Sequence, residues 1–189
     1  MKDTKTVSDS ELRQPAINEI IGLLMQFSWS GRRQFGEHLA EHRLTPPQFY
    51  TLAYLMGPCD GDDNDKGIAI HLVAEGLHKE RATMTGILDR LERAGLVERH
   101  RSQVDRRKWL VSPTDEGRRL VRAAGKSWHR SLVRSFDDLG TSELAELESL
   151  LRRLVEAMTP ADMSALPAHV FAHMMDSVHQ GLGDDDVSR

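Results

Sequence analysis

The sequence has little cysteine and no long apolar run, and each shortage excludes a class of protein. One cysteine among 189 residues excludes a disulfide framework and a metal site built from cysteines alone. The longest apolar run, Ile20 to Met25, is far shorter than the roughly 18 residues that a membrane span needs. The first fifteen residues are polar and hold no apolar segment of a signal peptide. We therefore expect a soluble, cytoplasmic protein with no membrane partner.

The charge of the chain is unevenly distributed. Apolar residues make up 39% of the sequence, enough for a core, and the net charge is −4. Residues 67–122 carry 12 Lys and Arg against 8 Asp and Glu, whereas the rest carries 13 against 21. The densest basic stretch, Arg99 to Lys108, holds five basic residues and one Asp. A basic middle is typical of a small nucleic-acid-binding protein, although a solvated charged face gives the same pattern.

Most of the chain has the apolar periodicity of helices. Start signals are strong at Thr45, where Pro46 and Gln48 complete a capping box, and at Thr114. Gly95 is placed to end a helix in the left-handed conformation. The helices are predicted to run from about Ser8 to His42, Thr45 to Met56, Ile68 to Gly76, Lys79 to Ala94, Thr114 onwards, and Thr141 to Met158, with a weaker amphipathic segment after Pro160.

The period changes in one place, between Leu96 and Ser112. Leu96 to Arg101 and Lys108 to Ser112 alternate apolar and polar residues, as short half-buried strands do. A polar loop, Ser102 to Arg107, joins them. Three short helices followed by a two-stranded hairpin are the order of a winged helix-turn-helix, whose third helix enters a major groove. The predicted fold is mainly α (α+β), with helices flanking this domain on both sides.

Three stretches resemble the MarR family of transcriptional regulators. They are Leu44-Thr-Pro-Pro-Gln-Phe49, Met84-Thr-Gly-Ile-Leu-Asp-Arg-Leu-Glu-Arg-Ala-Gly-Leu-Val-Glu-Arg99 and Asp105-Arg-Arg-Lys-Trp-Leu-Val-Ser-Pro-Thr-Asp-Glu-Gly117. The resemblance implies a homodimer that binds pseudo-palindromic double-stranded DNA and is released by a small, often phenolic or lipophilic, effector. It divides the chain into an N-terminal dimerisation helix (1–43), the winged domain (44–113), C-terminal dimerisation helices (114–182) and a polar tail (183–189).

Matched to the family pattern, the recognition helix and the wing supply the DNA contacts. Asp105 and Arg107 bracket the wing tip, and a carboxylate two residues before an arginine can hold its guanidinium for a narrow minor groove. An exposed ion pair in a turn is the alternative interpretation. The predicted DNA-binding residues are Lys79, Arg81, Thr83, Thr85, Arg90, Asp105, Arg106 and Arg107.

A second set of residues is predicted to line an effector pocket where the first helix, the second helix and the helix after the wing converge. Each of these side chains would also suit an ordinary core. The candidates are Trp29, Phe35, His38, Phe49 and Trp109.

His38-Leu-Ala-Glu-His42 has the spacing of a helical zinc motif, with two histidines on one face beside Glu41. A catalytic zinc needs a third protein ligand, which His129, His169, His173 or His179 would have to supply. The main hypothesis is a regulator without enzyme activity, cofactor or bound metal. The alternatives are a metal-sensing regulator using His38 and His42, a small zinc hydrolase using His38, Glu41 and His42, and a winged-helix adaptor that binds protein.

Overall fold

The computed structural model describes residues 9–57 and 67–158 of the chain, with side chains from residue 13. Several predicted features lie outside the described residues. They are the start of the first helix at Ser8, the single cysteine Cys59, the segment after Pro160 with its three histidines, and the polar tail. The elements are α1 (Asp9–Glu41), α2 (Pro46–Leu55), β1 (Ile68–Ala69), α3 (Ile70–Gly76), α4 (Arg81–Arg93), β2 (Val97–Arg101), β3 (Trp109–Pro113), α5 (Asp115–Val133), a 3₁₀ turn (Arg134–Phe136) and α6 (Thr141–Met158).

The predicted winged helix-turn-helix is confirmed. Helices α2, α3 and α4 precede an antiparallel hairpin of β2 and β3, in which Val97 pairs with Pro113 and Arg101 pairs with Trp109. The core lies beneath these elements and α5, and Phe49, Leu52, Leu88 and Leu91 are fully buried in it. The long helix α1 adds Phe35 and Leu39 to this core from its C-terminal part.

The prediction that one helix spans Ile68 to Gly76 is wrong for its first two residues. Ile68 pairs with Val111 and Ala69 pairs with Leu110, so β1 adds a third strand and the sheet order is β1-β3-β2. A short apolar run does not distinguish helix from strand by periodicity alone. The free edge of β3 decides the outcome, because its backbone groups need partners that β1 supplies.

Several predicted helix boundaries are confirmed by their hydrogen bonds. The Thr45 N–H donates to Gln48 Oε1 at 2.9 Å, so the side chain returns the capping bond at the start of α2. The Thr114 hydroxyl accepts the Gly117 N–H at 3.1 Å and donates to the Gly95 carbonyl at 2.7 Å. Thr114 therefore starts α5 and at the same time binds the turn that ends α4.

Helix α4 begins two residues later than predicted, at Arg81 with Glu80 as its N-cap, so Lys79 lies just outside it. Gly95 has a φ of 71° after the last turn, as predicted, and the Leu96 N–H returns to the Leu91 carbonyl at 2.9 Å. This tight stop sets the point at which the chain turns from α4 into the wing.

Candidate nucleic-acid interface

Helix α4 has one face in the core and one face in solvent. Met84, Ile87, Leu88 and Leu91 are buried, at the spacing that fixes the helix against α2 and α3. The opposite face carries the predicted base-contacting residues. Arg81, Thr83 and Arg90 are exposed, Thr85 is half-buried, and Lys79 is exposed just before the helix.

These residues do not all reach the same place. The Thr85 hydroxyl donates to the Arg81 carbonyl at 2.9 Å, so its proton is engaged in a hydrogen bond within the helix. Arg81 lies in the first turn and Arg90 in the last, about 13.5 Å apart along the helix axis and about half a turn apart around it. The two arginines would therefore contact different parts of a duplex.

The wing tip is an ordered loop between β2 and β3. The Ser102 N–H donates to the Lys108 carbonyl at 3.1 Å, and the Lys108 N–H donates to the Asp105 carbonyl at 2.9 Å. The Ser102 hydroxyl accepts the Asp105 N–H at 2.9 Å. Arg106, Arg107 and Lys108 are exposed on this loop and form a basic tip.

The predicted contact between Asp105 and the Arg107 guanidinium is wrong in its detail. The Asp105 carboxylate accepts the backbone N–H of Arg107 at 3.1 Å instead. A carboxylate two residues before an N–H closes an Asx turn, and that local bond is available without ordering a long side chain. Asp105 therefore fixes the backbone of the tip and leaves the Arg107 guanidinium in solvent.

An ion pair joins the wing to the recognition helix. The Arg99 guanidinium lies 2.6 Å from the Asp89 carboxylate and 3.4 Å from that of Glu92. The Arg99 side chain is only 20% exposed, and its buried Nε has no hydrogen-bond partner. Sequence reasoning missed Arg99 as a functional residue. Two carboxylates three residues apart on the solvent side of a helix, followed by an arginine in the next strand, were the signal available.

The candidate effector residues divide into two groups. Phe35 contacts both Phe49 and Trp128 of α5, with ring centroids 5.3 Å and 5.2 Å apart. The ring of His38 also lies against Trp128, at 5.8 Å. Trp29 is 73% exposed on α1, and Trp109 lies on the sheet beneath Arg101. Sequence reasoning missed Trp128, although it follows the apolar periodicity of α5.

Tyr50 completes this aromatic cluster from α2. Its ring centroid lies 5.7 Å from that of Phe35 and 5.9 Å from that of Phe49. Burial raises the pKa of the Tyr50 hydroxyl above its usual value, because the neutral form is favoured away from water.

The two histidines of the zinc-like motif face α5. Nε2 of His38 lies 2.8 Å from the Ser127 hydroxyl, and Nε2 of His42 lies 3.4 Å from the same oxygen. Nδ1 of His38 lies 4.0 Å from the Glu41 carboxylate. Within residues 9–57 and 67–158, no three His, Cys, Asp or Glu side chains converge as a metal site would require. Of the proposed third ligands, only His129 lies in this part of the chain.

Comparisons with known proteins agree with this geometry. A model of the MarR family matches residues 64–109, which hold the recognition helix, β2 and the wing loop. A HTH-type regulator of Bacillus subtilis, YfiV, is 32% identical over 50% of this chain, and TtmR of Methylorubrum extorquens is 33% identical over 47% of it. The chain spans only 61% and 42% of the length of these two relatives. These relatives are named as transcriptional regulators.

Solved structures share the fold. A MarR family protein from Bacillus stearothermophilus has a TM-score of 0.65 at 23% identity, covering 77% of this chain and 96% of that one. MepR of Staphylococcus aureus, solved with DNA, has a TM-score of 0.56 at 21% identity, covering 72% and 96%. The fold and the interface define a winged helix-turn-helix protein. The winged domain of this chain is similar to that of the MarR family, whose model it matches over residues 64–109. Within the described residues, no helix is long and apolar enough to cross a membrane.

Proposed function

We propose that the chain is a sequence-specific DNA-binding transcriptional regulator. It acts as a homodimeric repressor on pseudo-palindromic operators and is released by a small-molecule effector. The observation that carries the proposal is the ion pair between Arg99 and Asp89, which holds a basic, exposed wing tip at a fixed place beside the solvent face of α4. A DNA-reading helix and a backbone-contacting wing must act on one duplex together, and this pair couples them.

The two elements have separate tasks in this account. The solvent face of α4 enters the major groove, where Arg81 is placed to read guanine and Thr83 to meet a thymine methyl group or a phosphate. The Arg106 and Arg107 guanidinium groups reach the adjacent minor groove or its phosphates. The relatedness to HTH-type regulators and the likeness to MepR, which was solved with DNA, support this assignment.

A homodimer is supported by apolar surface that the single chain leaves in water. Along α1, Ile20, Ile21, Leu24 and Phe27 are exposed, and in the described chain no residue of α6 is buried. Contiguous apolar surface of this extent marks an interaction site. A second copy that packs α1 and α6 against their counterparts places two recognition helices across a two-fold axis, about 34 Å apart on adjacent half-sites.

The effector is proposed to bind at the aromatic cluster of Phe35, His38, Phe49, Tyr50 and Trp128. This cluster lies where α1, which belongs to the dimer, meets α2 and α5, which carry the DNA-binding head. A phenolic or lipophilic molecule inserted there changes the spacing of the heads only if it binds the released state better than the DNA-bound state.

Binding of the protein to its own upstream region, followed by fluorescence anisotropy across a salt series, tests the proposal. We expect a preference over scrambled duplex and a steep fall of affinity with salt. The double variant Arg106→Ala/Arg107→Ala should give a shallower salt dependence, by about 0.9 for each phosphate that the protein no longer neutralises. Arg33→Ala is the matched control, because Arg33 is exposed on α1 and pairs with Glu37. An equal response of both variants would contradict the proposed interface.

A further inference from the structure

Two side chains without an assigned DNA-binding role lie opposite each other at the base of the wing loop. Arg101 ends β2 and Trp109 begins β3, and the two residues are direct partners across the hairpin. The guanidinium carbon of Arg101 lies 4.2 Å from the centroid of the Trp109 ring. This distance is that of a cation–π contact.

The same guanidinium reaches into the loop. Nη1 of Arg101 donates to the carbonyl of Arg106 at 3.0 Å and lies 3.5 Å from the carbonyl of Arg107. The guanidinium carbon therefore lies over the indole, while Nη1 binds the backbone of the two residues that carry the basic tip. A lysine ammonium has a single nitrogen, so it cannot lie over the ring and at the same time take the place of Nη1 at the carbonyl.

We propose that Arg101, stacked on Trp109, is a positioning residue that holds the wing loop in its DNA-binding conformation. The inference rests on the proposed function and deepens it. An ordered loop loses less conformational entropy when Arg106 and Arg107 engage the duplex. Arg101 thus acts through the tip backbone, and its own charge is engaged within the wing.

Two variants separate this role from direct contact with phosphate. Trp109→Leu removes the stacking surface without changing the charge, and Arg101→Lys keeps the charge but not the planar group. Each should weaken operator binding about tenfold, the effect expected when a cation–π contact and a hydrogen bond no longer order the loop. The double variant should bind the operator no more weakly than either single variant, because both substitutions disrupt the same contact between Arg101 and Trp109.

The salt dependence should stay at the wild-type slope in all three proteins. Wild-type affinity in Arg101→Lys, or additive effects in the double variant, would overturn the inference in favour of a simple charge contact. Thermal unfolding of each variant confirms that the fold is retained, which we expect because Trp109 is 45% exposed.

A readout without DNA keeps this inference distinct from the proposed function. Trypsin cleaves after arginine, so limited digestion of the free protein reports how well the bonds after Arg106 and Arg107 are protected. Both single variants should be cut faster there than the wild type, with cleavage elsewhere unchanged. Unchanged cleavage would overturn the inference that Arg101 and Trp109 order the wing loop, whatever the result with DNA. The variants could be cleaved faster while the wild-type protein binds no operator. That result would refute the proposed function and would still support the ordering of the loop by Arg101 and Trp109.

Discussion

The Arg99 guanidinium and the Asp89 carboxylate, 2.6 Å apart, connect β2 of the wing to the solvent side of the recognition helix. Glu92, one helical turn further on, supports the same guanidinium at 3.4 Å. The contact adds to the buried core that α4 and the wing share, and it restrains the angle between helix and wing. The angle in turn decides whether both can contact one duplex.

Removal of this ion pair should weaken both stability and DNA binding. In Asp89→Asn, we expect the free energy of unfolding to fall by about 1–2 kcal/mol. The half-buried guanidinium of Arg99 then keeps only its more distant ion-pair partner, Glu92. Urea unfolding measures the decrease. Glu116→Gln is the matched control, since its partner Arg119 is largely exposed, and it should cost less than about 1 kcal/mol. Equal decreases in the two variants would argue against a special role for Asp89.

Gly117 in the first turn of α5 should not tolerate a side chain. A Cβ at this position would collide with the Leu96 carbonyl, at the place where α5 crosses the start of the wing. Gly117→Ala should therefore destabilise the protein by about 1–3 kcal/mol in denaturant unfolding.

Gly86→Ala provides the opposite case within α4. Apart from the backbone of the helix itself, no atom lies within 4 Å of the place that a Cβ would take, and alanine is the better helix former. The free energy of unfolding should rise by about 1 kcal/mol. A decrease of stability at Gly86, or none at Gly117, would contradict the packing described for these two helices.

The apolar stripe of α1 should control the oligomeric state. Leu24→Asp places a carboxylate in the proposed interface, where an unpaired buried charge costs about 3 kcal/mol or more. Sedimentation velocity should show a dimer for the wild type and a monomer for the variant, with unchanged helical content. Gln34→Asp adds the same charge to an exposed polar position of α1 and should remain dimeric. A monomeric wild type, or a dimeric Leu24→Asp, would refute the interface.

Stability should fall at alkaline pH because of Tyr50. Burial raises the pKa of its hydroxyl in the folded state above the usual 10.0, so folding favours the neutral form. The contribution is complete below pH 10 and is lost as the pH rises above it, where the unfolded chain ionises first. Urea unfolding between pH 9 and pH 11 should show a smaller decline for Tyr50→Phe than for the wild type. Parallel curves would show that Tyr50 does not titrate differently in the two states.

The sequence predicted the elements that depend on local chemistry. Thr45, Gly95 and Thr114 are capping positions, and capping requires only residues within one turn. The alternation around Val97 and Val111 predicted the wing for the same reason, because a strand repeats every two residues.

What the sequence did not predict depends on contacts between distant elements. Strand β1 forms because it can pair with the edge of β3, and nothing in the two residues Ile68 and Ala69 themselves predicts a strand. The ion pair of Arg99 and the ring contact of Trp128 with Phe35 likewise require the positions of two elements to be known. The sequence places Asp105 in the correct loop but predicts the wrong partner for its carboxylate, which binds the backbone N–H of Arg107. The spacing of a carboxylate and an arginine does not distinguish the guanidinium from the backbone N–H.

Selection of the full-length chain on random duplexes, followed by sequencing of the bound fraction, tests the central claim most directly. We expect an enriched pseudo-palindrome whose half-site centres lie about 10 base pairs apart, the spacing that two recognition helices across a two-fold axis require. The Arg106→Ala/Arg107→Ala variant should enrich the same sequence less strongly, because the wing adds affinity while α4 reads the bases. No enriched sequence with the wild-type chain would contradict the assignment of a sequence-specific regulator.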